Sequence, residues 1–121
     1  GPLLVDPAVA LGALVFAAAS AGQHAAHAHL ASLRRPGGGH ALPTASPLFR
    51  RVACPHYALE VLIYASFAVS TRGRDAGVLA LLLWVATNLS VSAHSQLCWY
   101  RERFPPGELP PGWCRLVPGL W

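Results

Sequence analysis

The chain has 121 residues, of which 54% are hydrophobic and only 12% charged, where a soluble domain carries about 25% charged residues. Its net charge of +4 rests on nine arginines and no lysine, scattered without the aromatic-interleaved basic stripe of a nucleic-acid binder. Composition therefore excludes an ordinary soluble domain and a nucleic-acid partner before any motif is read.

A helix needs about 20 mainly apolar residues to cross a bilayer, and three segments are candidates. The first runs from about Leu3 to Leu33, strongest over Val9 to Ala21. It is too long for the apolar region of a secretory signal, and Asp6-Pro7 reads as a helix start. The second covers about Tyr57 to Thr71, with an extension back towards Val52, and the third about Ala76 to Tyr100. The expected fold is all-α: a multi-pass transmembrane helical bundle of about three helices, itself part of a larger bundle. The absence of methionine and the Gly1-Pro2 beginning point the same way, to a piece of a longer protein.

The links between the segments differ. Residues 34–55 hold the Gly37-Gly38-Gly39 run, four prolines and four arginines, which predicts an irregular loop. Arg72-Gly73-Arg74-Asp75 is a tight link, so the second and third helices form a hairpin. After Tyr100, Pro105-Pro106-Gly107 and Pro110-Pro111-Gly112 predict a tail that cannot continue a helix. Seven arginines fall on the side of this loop and tail and two, Arg72 and Arg74, on the other. That asymmetry predicts a cytosolic loop and tail. Cys54, Cys98 and Cys114 would then sit near the reducing side, as free thiols.

Each segment carries a polar face. Gln23, His27 and Arg34 are spaced four and seven apart in the first; His56, Glu60 and Tyr64 share a side of the second. Trp84, Asn88, Ser92, Ser95 and Trp99 share one in the third. A carboxylate at membrane depth costs roughly 2.5 kcal/mol or more, so Glu60 is expected to face a polar cavity. Gln23, Asn88 and the serines serve equally well as interhelical hydrogen-bonding groups. Pooled near the proposed cytosolic ends, these groups suit a phosphate-bearing ligand, because guanidinium grips phosphate with forked hydrogen bonds. His24 and His27 are spaced to share a metal, but His29 points well round the helix and the other histidines stand alone, so no metal is expected. Asn88-Leu89-Ser90 fits a glycosylation acceptor but lies inside a helix, and the triple glycine lacks the flanking elements of a dinucleotide fingerprint.

Three segments, Gln23 to Arg34 (QHAAHAHLASLR), Cys54 to Tyr64 (CPHYALEVLIY) and Asn88 to Phe104 (NLSVSAHSQLCWYRERF), resemble the C-terminal domain of the steroid 5α-reductase family, and most of all its polyprenol (polyprenal) reductase branch. The resemblance covers most of residues 20–104. It implies a multi-pass endoplasmic-reticulum enzyme that uses NADPH to reduce the α-isoprene double bond of polyprenal, in dolichol synthesis and hence protein N-glycosylation. Its partners would be the membrane and a polyisoprenoid lipid; oligomeric state stays open. By the same resemblance Gln23, His27, Arg34, His56, Glu60, Asn88 and Tyr100 match cofactor-lining positions.

The catalytic acid is expected upstream, in N-terminal helices that this chain lacks, so residues 1–121 form a C-terminal membrane domain with no catalytic residue of their own. Two departures stand out. Leu97 occupies a position where the family has histidine, and Leu109-Pro110-Pro111-Gly112-Trp113 replaces a Tyr-Pro-x-x-Arg ending. Two other readings compete: an isoprenylcysteine-type membrane methyltransferase, and a non-catalytic membrane subunit whose polar faces only pack helices.

Overall fold

A computed structural model describes residues 4–34 and 41–121; Arg35 and the triple glycine lie outside the described residues. Three helices follow in order: α1 (Pro7–Ser32), α2 (Pro55–Ser70) and α3 (Ala76–Arg103). Asp6 caps α1, its Oδ1 accepting from the Ala8 N–H at 2.9 Å, and Pro7 opens the first turn where its missing N–H costs nothing. Asp75 caps α3 in the same way through the Val78 N–H. The third helix runs three residues past its expected end, to Arg103, and stops where Pro105 follows.

Chain reversal between α2 and α3 is a Schellman motif. Gly73 N–H bonds to the Ala68 carbonyl at 2.8 Å and Arg72 N–H to that of Val69 at 3.0 Å. The residue in the left-handed position at its centre is Arg72 (φ 55°), with Gly73 (φ 68°) following. A non-glycine residue there is uncommon, and Arg72 is held by a cross-element pair: its Nη2 donates to Asp6 Oδ1 at 2.5 Å. That pair ties the start of α1 to the end of α2, so the two helices run antiparallel.

Packing between α1 and α2 rests on small residues. Gly12, Ala19 and Ala26, seven apart, are the buried positions of α1. A Cβ on Gly12 would overlap Ser70 Oγ and lie 2.8 Å from the Ser66 carbonyl oxygen. Close backbone approach of this kind is how helices associate in lipid, where the hydrophobic effect between helices is absent.

α1 and α3 are both long and apolar enough to cross a membrane, and only 11% and 6% of their most apolar stretches is buried within the chain. A core helix of a soluble protein would be mostly covered. Here Leu14, Leu83 and Trp84 are about 70% exposed (69%, 70% and 70%), the surface expected towards lipid or further helices. The protein is an all-helical, multi-pass membrane domain. The expected second span is shorter than the other two: α2 has 16 residues, roughly 24 Å, because Pro55 starts it and the Schellman turn ends it.

Tertiary packing concentrates at the end where α1 stops and α2 starts. Ala53, Cys54, Ala93, Leu97, Tyr100 and Trp113 form one buried cluster. The proline-rich tail folds back onto residues 51–54 through a parallel bridge between Val52 and Cys114. Ala53 N–H bonds to the Cys114 carbonyl, Cys114 N–H to that of Arg51, and Cys54 N–H to that of Arg115 at 2.8, 3.0 and 3.1 Å. These three bonds pair backbone groups across the contact without any regular sheet.

Candidate functional site

Two groups of polar side chains form at this packed end. The first lies between α1 and α2. Gln23 Nε2 donates to the His56 carbonyl at 3.4 Å, and the His27 ring meets the His56 ring edge-on, with centroids 5.3 Å apart. His56 is buried, with the rings of Phe49 and Tyr57 tilted against it at 6.0 and 4.3 Å, and its Nδ1 has no hydrogen-bond partner among the described residues. A buried polar atom left so costs about 1–3 kcal/mol, and a bound polar ligand would remove that cost.

A second group surrounds a cavity of about 730 Å³, lined by Leu30, Leu33, Arg34, Ser92, Ser95, Gln96, Trp99 and Tyr100 among others. Arg34 lies beyond the helix, since α1 ends at Ser32 and Leu33 is its C-cap. It therefore does not share the helical face expected with Gln23 and His27, and instead stands exposed at the cavity rim. Gln96 lies one turn before Tyr100 on the same cavity wall, and Arg103 stacks over Trp99 at 5.2 Å. Tyr57 links the two groups, its ring 4.3 Å from that of His56 and packed against the cluster that holds Tyr100.

Of the seven positions expected to line a cofactor, Arg34 and Tyr100 thus share the cavity, while Gln23, His27 and His56 make up the neighbouring group. Glu60 lies half-buried one turn beyond His56 and makes no hydrogen bond or ion pair among the described residues. Asn88 is exposed and lines neither group. The expected polar face of α3 divides accordingly: Ser92, Ser95 and Trp99 reach the cavity, whereas Trp84 and Asn88 point outward. Gln96 is the addition that periodicity missed, one position off the expected stripe of α3.

The three neighbouring histidines have separate surroundings. His24 is exposed, His27 meets His56, and His29 Nε2 donates to the Pro43 carbonyl at 2.9 Å. The two apolar departures have a structural explanation. Leu97 is 1% exposed and Trp113 6%; Trp113 packs against Tyr100 at 5.1 Å and donates from Nε1 to the Phe49 carbonyl at 2.7 Å. Both residues build the wall behind Tyr100. Arg115, the remaining cation of the tail, does not reach the cavity. Its Nε donates to His94 Nδ1 at 2.9 Å.

The arrangement defines a helical membrane domain with a polar, cation-rimmed cavity at one end. The chain belongs to the 3-oxo-5-alpha-steroid 4-dehydrogenase family, whose sequence pattern matches residues 2–121. It is 36% identical over 96 residues to polyprenal reductase 2 of Oryza sativa subsp. indica, covering 78% of this chain and 27% of that protein. It is 34% identical over 98 residues to the polyprenal reductase of Saccharomyces cerevisiae, covering 81% and 35%. To the polyprenal reductase of Xenopus laevis it is 36% identical over 105 residues, covering 78% and 31%. The chain therefore spans about a quarter to a third of the length of these relatives. The relatives are named as reductases, which disfavours both the methyltransferase and the non-catalytic reading.

Proposed function

We propose that the chain is the C-terminal domain of an NADPH-dependent polyprenal reductase, which reduces the α-isoprene double bond in dolichol synthesis at the endoplasmic reticulum. Its loop 34–55 and tail face the cytosol. The observation that carries this reading is the cavity that brings Arg34 together with Ser92, Ser95, Gln96 and Tyr100. A dinucleotide phosphate asks for a guanidinium at an open rim, hydrogen-bonding groups further in, and an aromatic wall; Arg34, the serines and Trp99 supply these. The unpartnered His56 Nδ1 fits a ligand rich in hydroxyl and amide groups.

The nicotinamide supplies the hydride when bound. This chain's part is to hold and orient the nucleotide: Arg34 at the rim, Gln96 and Tyr100 on the cavity wall, and Leu97 with Trp113 excluding water behind Tyr100. The proton donor at the substrate carbonyl would come from helices outside residues 1–121.

The test uses the full-length protein. Arg34→Ala should weaken NADPH roughly tenfold or more while leaving NADH nearly unchanged, because a guanidinium lost from phosphate affects only the phosphorylated nucleotide. Equal weakening of both nucleotides would remove Arg34 from phosphate recognition. Conversion of a short-chain polyprenal to its saturated product, followed by mass spectrometry, tests the substrate assignment.

A further inference from the structure

Two adjoining hollows of opposite chemistry lie on the other side of the packed end from the nucleotide cavity. One, of about 310 Å³, is lined by Arg50, Arg51, Pro111, Gly112, Pro118 and Gly119. The other, of about 490 Å³, is a groove between α2 and α3 whose lining is aliphatic or proline except for Ser90. Pro118 lines both. The loop joins them a second time: Leu48 and Val52 line the groove, and Arg50 and Arg51, between them in sequence, line the pocket. Neither hollow shares a lining residue with the cavity assigned to the nucleotide.

Backbone contacts shape the pocket and leave its cations uncommitted. The Arg51 carbonyl accepts from the Cys114 N–H at 3.0 Å. Pro111-Gly112 and Pro118-Gly119 turn with both glycines in the left-handed region (φ 64° and 73°). Arg72 is paired with Asp6, Arg103 lies over Trp99 and Arg115 donates to His94. The Arg50 and Arg51 side chains, by contrast, make no hydrogen bond or ion pair among the described residues, and no acidic residue lines their pocket.

Depth separates the two chemistries. On α2 the groove runs from Pro55 to Leu62, about 10 Å along the axis, from the packed end towards the middle of the helix. α3 contributes Ala86 and Ser90, well inside its span. Leu48, Leu62 and Val117 are exposed along it. A ligand that satisfies both hollows therefore has an anionic head at the surface and an apolar chain reaching inward. A further helix would answer only half of this. Helices in lipid meet over small residues, whereas this groove presents leucine, valine and proline and opens onto two guanidiniums. Adjacent guanidiniums match phosphate, and basic pockets at the cytoplasmic ends of membrane helices take acidic lipid head groups.

We propose that this composite site binds one anionic glycerophospholipid, its phosphate held by Arg50 and Arg51 and one acyl chain lying along the α2–α3 groove. The lipid comes from the leaflet at the packed end, which the proposed topology makes the cytosolic one.

Full-length protein in phosphatidylcholine nanodiscs, with a trace of phosphatidic acid carrying a photoactivatable acyl chain, tests this by mass spectrometry of cross-linked peptides. Cross-links are expected within residues 58–62 and 86–90, competed by unlabelled phosphatidic acid and not by extra phosphatidylcholine. The double variant Arg50→Gln/Arg51→Gln should capture roughly tenfold less or lower still, with an unchanged thermal midpoint. Leu62→Trp, which narrows the groove and keeps both arginines, should reduce cross-linking within 86–90. The readout is independent of turnover and of nucleotide, so it stands or falls apart from the reductase reading. Equal capture of a photoactivatable phosphatidylcholine, unchanged capture in the double variant, or no cross-link in the groove would overturn the proposal. Displacement by a short-chain polyprenal but not by phosphatidic acid would also overturn it, giving the groove to substrate.

Discussion

The two ends of this bundle are held by opposite means. At the end that carries the cavity, an aromatic and aliphatic cluster is sealed by the returning tail, with Trp113 bridging Tyr100 and the Phe49 carbonyl. At the other end, α1 and α2 meet over glycine, alanine and serine, and one exposed ion pair joins Asp6 to Arg72. Water-facing segments can bury apolar area and gain from it. Inside lipid that gain vanishes, and only close contact and hydrogen bonding remain. The polar cavity accordingly lies at the end where the chain has enough irregular, water-facing backbone to build a conventional core around it.

Breaking the cap should give the largest effect. Trp113→Ala removes a 6%-exposed indole and should cost about 3–5 kcal/mol, read as a fall in the thermal midpoint of the purified protein in detergent. Trp113→Phe keeps an aromatic ring but loses part of the indole's volume and the bond to the Phe49 carbonyl, so it should cost less than Trp113→Ala, about 1–3 kcal/mol. Cys54 reports independently on the same event. Its side chain is 0% exposed and burial pushes its thiol up to about 12, so alkylation there should require opening of the cap. Faster labelling in Trp113→Ala than in the parent is the expected outcome; equal labelling would mean that the tail does not seal residues 51–54.

The opposite end should break more gently. Gly12→Ala sets a Cβ against Ser70 Oγ and 2.8 Å from the Ser66 carbonyl, and overpacking of this kind costs about 1–3 kcal/mol. Serine can rotate away, but the Ser66 carbonyl is backbone and cannot. Reduced resistance to denaturing detergent with an unchanged nucleotide affinity would separate this contact from the cavity. A parallel loss of nucleotide affinity would mean that helix spacing is transmitted along α1 to Arg34.

What could be read from the sequence follows the same division. Helix existence was legible because apolar runs of this length have few alternatives, and the Asp6-Pro7 start and the proline-rich stop after α3 were visible as residue types. Convergence of polar groups towards one end was legible too, since the faces of α1 and α2 drift that way in sequence. Phase failed where a helix ended: extrapolating seven residues from His27 to Arg34 assumed two more helical residues than exist, because Leu33 is already the cap. Asn88 failed for a different reason. A polar stripe on a membrane helix can face a cavity or a further helix, and spacing within one chain does not distinguish them. The tail was hardest, since a parallel bridge between Val52 and Cys114 has no periodic signature. Leu97 and Trp113 read as losses of polar chemistry until their shared wall behind Tyr100 was seen.

The smallest effect concerns the Asp6–Arg72 pair. The Arg72 guanidinium donates to both carboxylate oxygens, and this bond, followed by the Ala8 N–H, holds Asp6 below its ordinary value of 3.8. A carboxyl whose folded value is depressed contributes stability that is complete above the unfolded value and lost as pH falls through the folded one. The contribution should therefore be intact at neutral pH and disappear only in acid, from just above 3.8 downward. Because both partners are exposed, salt should screen the Coulombic part of it. Carboxyl carbon-13 titration of Asp6 in micelles should show a midpoint under 3.8 that rises towards that value with added salt or in Arg72→Gln. Arg72 also holds the left-handed position of the turn (φ 55°), so Arg72→Gly should ease the backbone while abolishing the pair. If Arg72→Gly and Arg72→Gln lost the same stability at neutral pH, the backbone would be contributing nothing, and the ion pair alone would explain why arginine stands where glycine is the usual residue.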